Sequence, residues 1–360
     1  MDSYSMFLPS YSIGADVYEK INDICSSYGK KIVCIGGKTA IDKAKDEIVK
    51  NVESTNLEIL DFVWYGGESS YENVDMLLNT PSVQNADMIF AIGGGKAIDT
   101  SKAVASKLSK PLFAFPTIAA TCAATSAICV MYNPDGTQKD VYNPDRPAVH
   151  VFINTKILAE APEVYLWAGI GDTIAKHYAI SISSRGDELS HSDGLALAMS
   201  TMCVDPLLKY GVQSYEDCKS KKATQEFQEV ALCIMVTTGL VSNLVDSYKY
   251  NTCLDHSLTY GLALLPQVEE KHLHGECVSY CVLVLLMIDK QLDTIEKLFK
   301  LYKPINLPTK LSDLEVTIDE LEKPIHKGIT NYDVEYMPYK LTSQMVLDAI
   351  KELEEFNKTH

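Results

Sequence analysis

The sequence lacks the long apolar run that would cross a membrane. Its two most apolar stretches are "VALCIMVTTGLVSNLV" (230–245) and "CVLVLLMI" (281–288). The first is interrupted by Thr, Gly, Ser and Asn, and the second is too short to span a bilayer. The N-terminal "MDSYSMFLPS" has an acid where a secretory signal has basic residues, and no apolar core follows it. We therefore expect no signal peptide and no membrane span, and predict that both stretches are buried helices.

Positive charge and paired cysteines are also scarce. The 360 residues include 32 Lys and Arg against 48 Asp and Glu, a net charge of −16. Such a surface repels phosphate backbones and anionic lipids, so we expect neither nucleic-acid nor membrane binding. The ten cysteines form no CxxC pair and show no regular spacing. In a chain of this length they predict reduced, mostly buried thiols and a cytoplasmic location.

The first 160 residues alternate between two patterns. β-rich runs occur at 31–36, 58–64, 88–93, 112–115, 127–132 and 148–153, with helical periodicity at 14–28, 38–50, 71–79 and 96–109. This alternation predicts a mostly parallel sheet covered by helices. Ligands of such sheets bind beyond the carboxyl ends of the strands.

The pattern changes after Pro162. Helical stretches follow at 170–184, 193–209, 224–248, 275–300 and 343–357, without a convincing strand. No internal repeat and no low-complexity segment occurs. The sequence therefore predicts an α/β dinucleotide-binding domain over 1–162 and an all-helical domain over 163–360.

The stretch "MIFAIGGGKAIDTSKAVA" (88–105) has neither the GxGxxG nor the GxxxxGK[ST] fingerprint. Three glycines, Gly93 to Gly95, nevertheless end an apolar strand, and Lys96 opens a helix. Free backbone N–H groups and a helix N-terminus suit a pyrophosphate. A tight turn without a ligand remains the alternative. Asp99 and Lys102 are expected to form an ordinary surface pair.

A second turn, "FAFPTIAATCAATSAICVMY" (113–132), is rich in small residues and hydroxyls. Small side chains let a cofactor approach the backbone, and hydroxyls can bond phosphate or ribose. Loops of this composition are common, so the signal is weak alone. The hydroxyl residues are Thr117, Thr121, Thr125 and Ser126.

Three residues whose side chains commonly bind metals are spread through the helical half of the sequence. Asp172, His256 and His274 offer a carboxylate and two imidazoles, which suit Zn²⁺ or Fe²⁺ with positions left open. Three unrelated polar residues would be the simpler account. His272 competes with His274, since nothing in the local pattern decides between them.

In combination, five segments resemble the iron-containing, metal-dependent alcohol dehydrogenases, and most closely the glycerol dehydrogenase branch. They are "GGGKAIDTSKA", "PTIAAT…TSAICVMYN", "AGIGDTIAKHYA", the His of "LDHSLTYGL" and the His of "HGE" eighteen residues later. All five occur in order and at matching spacing. The resemblance implies a Rossmann-like α/β domain followed by an all-α catalytic domain, the architecture shared with dehydroquinate synthase.

The resemblance also implies a function and a site. It implies NAD(P)-dependent oxidation of the CH–OH group of a small polyol or alcohol at a metal, Zn²⁺ with Fe²⁺ as the alternative. Asp172, His256 and His274 match the family's metal ligands, and "HGE" selects His274 over His272. The glycine turn matches the pyrophosphate site. The positions matching the cofactor site are Gly37, Gly94, Gly95, Lys96, Asp99, Thr117, Thr121, Ser126, Ile128 and Tyr132.

Three positions depart from the glycerol dehydrogenase pattern. Cys122 stands where an Asp contacts the polyol, and Thr259 stands where a second His follows the metal-binding one. Gly37 stands where an Asp meets the adenosine ribose, so we expect NADP(H) to be accepted. The stretch "AATCAA" is more similar to the hydroxycarboxylate dehydrogenase branch, whose members reduce 2-oxo acids, and this is the alternative function.

Two rival functions come from other classes. A dehydroquinate synthase-type lyase would carry basic residues in the loop that here reads "ATCAATSA", which contains no Lys or Arg. A non-catalytic nucleotide-binding descendant would not need the metal-ligand set. We therefore expect a small-molecule substrate, a polyol, alcohol or hydroxy or oxo acid, and a homo-oligomer of a size that the sequence leaves open.

Overall fold

The chain folds into two compact units. The computed structural model describes residues 5–133, 136–245 and 249–360. The first unit comprises Met1–Pro162 together with Asp217–Ala223, and the second comprises Glu163–Glu216 and Thr224–His360.

The first unit is built on a parallel sheet. Its strands are β1 (Ser10–Gly14), β2 (Lys31–Gly36), β3 (Glu58–Trp64), β4 (Met88–Gly93), β5 (Leu112–Pro116), β6 (Cys129–Tyr132), β7 (Gln138–Tyr142) and β8 (His150–Asn154). Six of them form one sheet in the order β1-β8-β5-β4-β2-β3, and every pair is parallel. The predicted α/β fold is confirmed. The run predicted at 127–132 instead contributes β6 to a separate antiparallel pair with β7.

Helices cover this sheet. They are α1 (Ile21–Cys25), α2 (Lys38–Glu53), α3 (Tyr71–Leu78), α4 (Pro81–Asn85), α5 (Gly95–Leu108) and α6 (Thr155–Glu160). On α2, Ile41, Ala44, Ile48 and Val52 recur every three or four residues and are buried, which is the face that packs on the core. Aromatic rings fill the centre of the core, where Phe115 lies 4.8 Å from Phe152 between ring centroids.

The strand order reverses between β2 and β4, because the chain runs outward to β3 and returns on the other side of β2. Open parallel sheets bind their ligands beyond the carboxyl ends of the strands at this point. Gly37 and Gly94 directly follow these two strands, and the Gly37 N–H donates to the Ile92 carbonyl at 3.4 Å. The fold therefore places the two glycine turns side by side.

The second unit is helical. It contains α7 (Glu163–Ser183), α8 (His191–Ser200), most of α9 (Asp205–Lys219), α10 (Gln225–Leu232), α11 (Thr238–Leu244), α12 (Leu254–Leu262), α13 (Pro266–Lys271), α14 (His274–Ile288), α15 (Leu292–Ile305), α16 (Glu322–Ile329) and α17 (Ser343–Thr359). A π-helical turn, Cys233–Thr237, joins α10 to α11. Within the described ranges no strand follows β8, and the predicted all-helical fold is confirmed.

Several predicted boundaries were wrong. The stretch 193–209 is divided between α8 and α9, and 275–300 between α14 and α15. The helix predicted from residue 170 begins at Glu163. Residues 246–248 of the predicted 224–248 helix lie outside the described residues. The helical run Gln225–Leu244 is long and apolar enough to cross a membrane, but 67% of its apolar window is buried inside the structure, as in a core helix.

Candidate metal and nucleotide sites

Three of the predicted site residues converge in the second unit. Asp172 lies on α7, His256 on α12, and His274 is the first residue of α14. The Asp172 Oδ1 lies 3.5 Å from His256 Nε2 and 3.7 Å from His274 Nε2. One ligand atom from each residue lies within 4.8 Å of the other two. His256 is buried, Asp172 is partly buried, and His274 is exposed, so the cluster is open on the His274 side.

Two glycines bring α7 and α14 close enough to form this cluster. A Cβ at Gly275 would lie 2.0 Å from the Ala168 carbonyl oxygen, and one at Gly171 would lie 2.2 Å from the Gly275 carbonyl oxygen. No real side chain tolerates such distances. Since Asp172 follows Gly171 and His274 precedes Gly275, the glycine crossing sets the separation of the two side chains.

The orientation of His256 is fixed by its neighbour in sequence. His256 Nδ1 lies 2.9 Å from the Asp255 Oδ1, which leaves Nε2 facing Asp172. Burial of the His256 ring favours its neutral form, but Asp255 and Asp172 outweigh burial and raise the pKa of His256 to about 10. Burial acts to raise the pKa of Asp172, but its hydrogen bond with His256 and the His274 ring hold that pKa below its ordinary value.

The donor set fits a divalent transition metal. Two ligands at about 2.1 Å from a tetrahedral ion lie about 3.4 Å apart, close to the separations of Asp172 Oδ1 from the two imidazoles. One carboxylate and two imidazoles suit Zn²⁺ or Fe²⁺, and three protein ligands leave a coordination position for substrate. That these residues bind a metal stays a prediction.

His272, the competitor in sequence, is not part of this cluster. Its Nδ1 lies 2.8 Å from the Glu276 Oε1, and its buried Nε2 has no hydrogen-bond partner. The Glu276 Oε2 accepts from the Leu273 N–H at 3.0 Å, so the same carboxylate caps α14.

Thr259 and Tyr260, which follow His256 on α12, have different environments. Thr259, which replaces the second His of the family pattern, is buried, and its hydroxyl donates to the Asp255 carbonyl at 2.8 Å. Tyr260, which was not predicted from the sequence, stacks on His274 with a distance of 6.1 Å between ring centroids, and its centroid lies 6.5 Å from that of His256. The Tyr260 ring therefore borders the cluster.

The glycine turn of the first unit fits a pyrophosphate. Gly93 has a φ of +148°, which L side chains rarely adopt, and a Cβ at Gly94 would lie 2.6 Å from Ile118. Gly94 is the N-cap residue of α5, and no side chain caps that helix. Uncapped N–H groups at the start of a 14-residue helix form an anion site. The cleft over this turn is lined by Gly93, Gly94, Gly95, Ile98, Pro116, Ile118, Thr121, Ala123 and Ala124.

A buried ion pair holds the neighbouring loop. Lys102 Nζ lies 2.9 Å from Asp99 Oδ1 and donates to the carbonyls of Ser126 and Ile128, while Asp99 Oδ2 accepts from the Val130 N–H at 3.0 Å. Both side chains are buried, so the expectation of a surface pair was wrong. The Asp99 carboxylate faces the interior of the unit and anchors the loop.

The other predicted cofactor residues surround this turn. The Thr117 N–H donates to the Gly93 carbonyl at 3.1 Å, and Lys96 Nζ lies 2.6 Å from Glu68 Oε2 and 4.8 Å from the centroid of the Tyr132 ring. Gly37 has an ordinary φ of −72°, so its conformation does not demand glycine. That any of these residues contacts a cofactor stays a prediction.

Cys122 is the first residue of a tight turn that extends to Thr125. Its carbonyl accepts from the N–H groups of Thr125 and Ser126 at 2.9 and 3.0 Å. It is partly exposed, whereas the other nine cysteines are buried. Cys122 therefore lies between two residues that line the candidate nucleotide cleft, Thr121 and Ala123.

Comparisons with known proteins identify the family and the fold. The sequence model of the family described as iron-containing alcohol dehydrogenase matches residues 9–154. Hydroxycarboxylate dehydrogenase A of Escherichia coli K12 is 33% identical over 331 residues, covering 91% of this chain and 90% of that protein. Glycerol dehydrogenase of Thermotoga maritima is 31% identical and covers 82% of this chain and 81% of its own length. The crystal structure of glycerol dehydrogenase from Schizosaccharomyces pombe superposes with a TM-score of 0.88 at 23% identity, covering 100% of this chain and 92% of the other, and shows the shared fold.

Proposed function

The chain belongs to the iron-containing alcohol dehydrogenase family and is an oxidoreductase, and on that premise we propose that it oxidises the CH–OH group of a small polyol. The convergence of Asp172, His256 and His274 carries this proposal, because a carboxylate and two imidazoles make up the ligand set of a catalytic rather than a structural metal. The reverse reaction would reduce the corresponding carbonyl.

The metal would be held by Asp172 Oδ1, His256 Nε2 and His274 Nε2, and we propose Zn²⁺. When bound, a divalent ion supplies Lewis acidity that lowers the pKa of an alcohol hydroxyl or polarises a carbonyl. His274 lies at the open side of the cluster and therefore borders the path by which a substrate would reach the metal. Tyr260, stacked on His274, would border the same path.

The nucleotide would be held by the first unit. Gly94 and Gly95 let the pyrophosphate approach the start of α5, and Thr121 offers a hydroxyl in the same cleft. When bound, a nicotinamide nucleotide would supply the acceptor for the hydride of the alcohol carbon. Gly37 places no carboxylate beside the adenosine ribose, which supports acceptance of NADP(H) as well as NAD(H).

The decisive test measures metal binding and nucleotide binding separately in the same variant. We expect the purified protein to bind one Zn²⁺ per chain, and the His256→Ala variant to lose that ion and at least 10³-fold in turnover, because one of three ligands is removed. NAD(P)H affinity, measured by fluorescence, should stay within threefold of native, since the glycine turn is unchanged. Full turnover in the variant, or equal metal content, would refute the proposed site.

A second candidate substrate class is the 2-hydroxy and 2-oxo acids. Cys122 supports it, because a thiol in place of an Asp removes a hydrogen-bond acceptor for a polyol and a negative charge that would repel a carboxylate. A screen of glycerol, vicinal diols and 2-oxo acids with both nucleotides distinguishes the two classes by the ratio of kcat/KM values.

Two further features bear on the setting of the enzyme. No disulfide joins any of the ten cysteines, which supports a reducing, cytoplasmic compartment. The loop from Ala120 to Ala127 carries no basic side chain for a phosphorylated substrate, which disfavours a dehydroquinate synthase-type lyase. A homo-oligomer is part of the proposal, and its size can be measured by light scattering.

A further inference from the structure

The side chain of Asp255 is fully buried directly behind the metal cluster. Its Oδ1 accepts hydrogen bonds from the His256 N–H at 2.6 Å and the Cys253 N–H at 3.2 Å, and it lies 2.9 Å from His256 Nδ1. Its Oδ2 lies 3.9 Å from the Cys253 thiol. A buried carboxylate with this many donors on one oxygen is held in a single orientation.

We propose that Asp255 is a positioning residue for the metal, acting through His256. Its Oδ1 accepts the Nδ1–H of His256, which orients the ring so that Nε2 is the nitrogen available to the metal. Its negative charge also makes the imidazole a stronger electron donor to a cation. This inference rests on the proposed metal site and assigns a function to a residue that the ligand set does not include.

The competing explanation is that Asp255 only stabilises the start of α12. It is the second residue of that helix, and an acid in the first turn of a helix is favourable in many proteins. The two explanations differ in what an amide would do. An Asn side-chain oxygen can still accept from the two backbone N–H groups and from His256 Nδ1, but it carries no charge. The substitution therefore keeps the hydrogen bonds at the helix start and removes the negative charge beside His256.

The experiment measures Zn²⁺ affinity by competition with a chromophoric chelator, using the full chain. We expect Asp255→Asn to weaken Zn²⁺ binding about tenfold and Asp255→Ser, which also frees the ring to rotate, about a hundredfold. The control is Asp313→Asn, because the Asp313 Oδ2 likewise accepts two backbone N–H bonds, from Thr309 and Lys310, away from the cluster. The control should keep Zn²⁺ affinity within twofold of native.

Two spectroscopic readouts are independent of activity. In the Zn²⁺-loaded native protein, the ¹⁵N shifts of His256 should show a protonated Nδ1 and a coordinating Nε2. In the Co²⁺-substituted protein, the visible absorption bands of Asp255→Asn should shift while those of Asp313→Asn do not.

Native Zn²⁺ affinity in Asp255→Asn, an equal loss in Asp313→Asn, or the opposite His256 tautomer would each overturn the proposal. The tautomer is measured on the native protein, so it decides the matter even where a variant fails to fold. Failure of the proposed metal site looks different, because the native protein itself would then bind no Zn²⁺.

Discussion

The crossing of α7 and α14 allows a quantitative test with a single methyl group. In Gly275→Ala the new Cβ would lie 2.0 Å from the Ala168 carbonyl oxygen and 3.1 Å from the Asp172 Cβ. Carbon and carbonyl oxygen rarely approach below about 3.3 Å, so the two helices must separate by about 1 Å. Overpacking of this kind costs about 1–3 kcal/mol, and the better helix propensity of Ala returns at most about 1 kcal/mol.

The consequence for the metal site is larger than that for stability. A metal site tolerates errors of about 0.2 Å in its ligand distances, and the separation moves Asp172 away from His274 by several times that amount. We expect Gly275→Ala to lower the midpoint of thermal unfolding by roughly 2–8 °C, as a loss of 1–2 kcal/mol does in a unit of this size. Zn²⁺ affinity should fall at least tenfold.

The matched control is a glycine with space around it. Gly194 lies inside α8, and a Cβ there would meet nothing within 4 Å. Gly194→Ala should therefore raise the unfolding midpoint by about 1–4 °C and leave Zn²⁺ binding unchanged. Differential scanning calorimetry and chelator competition on both variants make the comparison. If Gly275→Ala unfolds within 1 °C of native and binds Zn²⁺ equally well, the close crossing does not determine the site.

Three further predictions concern the first unit. At Gly37 a Cβ would lie 3.7 Å from the Tyr65 ring, so the Gly37→Asp side chain fits without strain. Because the new carboxylate repels the 2′-phosphate of NADP(H), the ratio of kcat/KM for NADP(H) to that for NAD(H) should fall at least tenfold. An unchanged ratio would contradict this prediction. Cys122→Asp should gain about ten- to a hundredfold in kcat/KM for glycerol relative to 2-oxobutyrate, as a charge-assisted hydrogen bond of about 1.5–3 kcal/mol would give, and no gain would show that Cys122 does not face the substrate. Burial, and secondarily Lys20, lower the pKa of His150 to about 4. Between pH 6.5 and 4 the unfolded chain therefore binds more protons than the folded chain. The free energy of unfolding should fall as the pH drops through this range, by up to about 3 kcal/mol. The urea midpoint of His150→Gln should show less of this acid sensitivity than native, and an equal loss at pH 4.5 would refute the assignment.

The sheet could be predicted because its central strands are uniformly apolar and end in glycine or proline. All residues of β4 and β5 are buried, and both strands are bounded by turn residues. Strand β7 was missed because four of its five residues are exposed, which leaves no alternation to detect. Helix α12 was missed for the opposite reason. Eight of its nine residues are buried and four of those are polar, so the sequence shows no apolar stripe with a polar opposite face.

The residues of the candidate metal cluster could be predicted from the sequence, but the residues that hold them in place could not. The resemblance picked out Asp172, His256 and His274, which are far apart in the chain, because the family pattern fixes their order and spacing. Asp255 is simply an acid beside a histidine, and nothing in that dipeptide shows that the carboxylate is buried and turned back on the ring. The helix predicted from residue 170 begins at Glu163, and the prediction could not show that Gly171, inside it, is needed for the close approach of α14.

The first unit is interrupted in the chain, and this has a consequence for its synthesis. Lys221 Nζ donates to the Ala161 carbonyl at 2.8 Å, and the Cys218 thiol lies 3.9 Å from the Ala159 and Ala161 carbonyls. The end of α6 thus obtains these hydrogen bonds from residues made about sixty positions later. During translation the sheet can form once residue 154 has emerged, but the unit stays open at α6 until residue 223 follows. A fragment ending at Pro162 would carry the candidate nucleotide cleft but would lack the hydrogen bonds that Cys218 and Lys221 give to the end of α6.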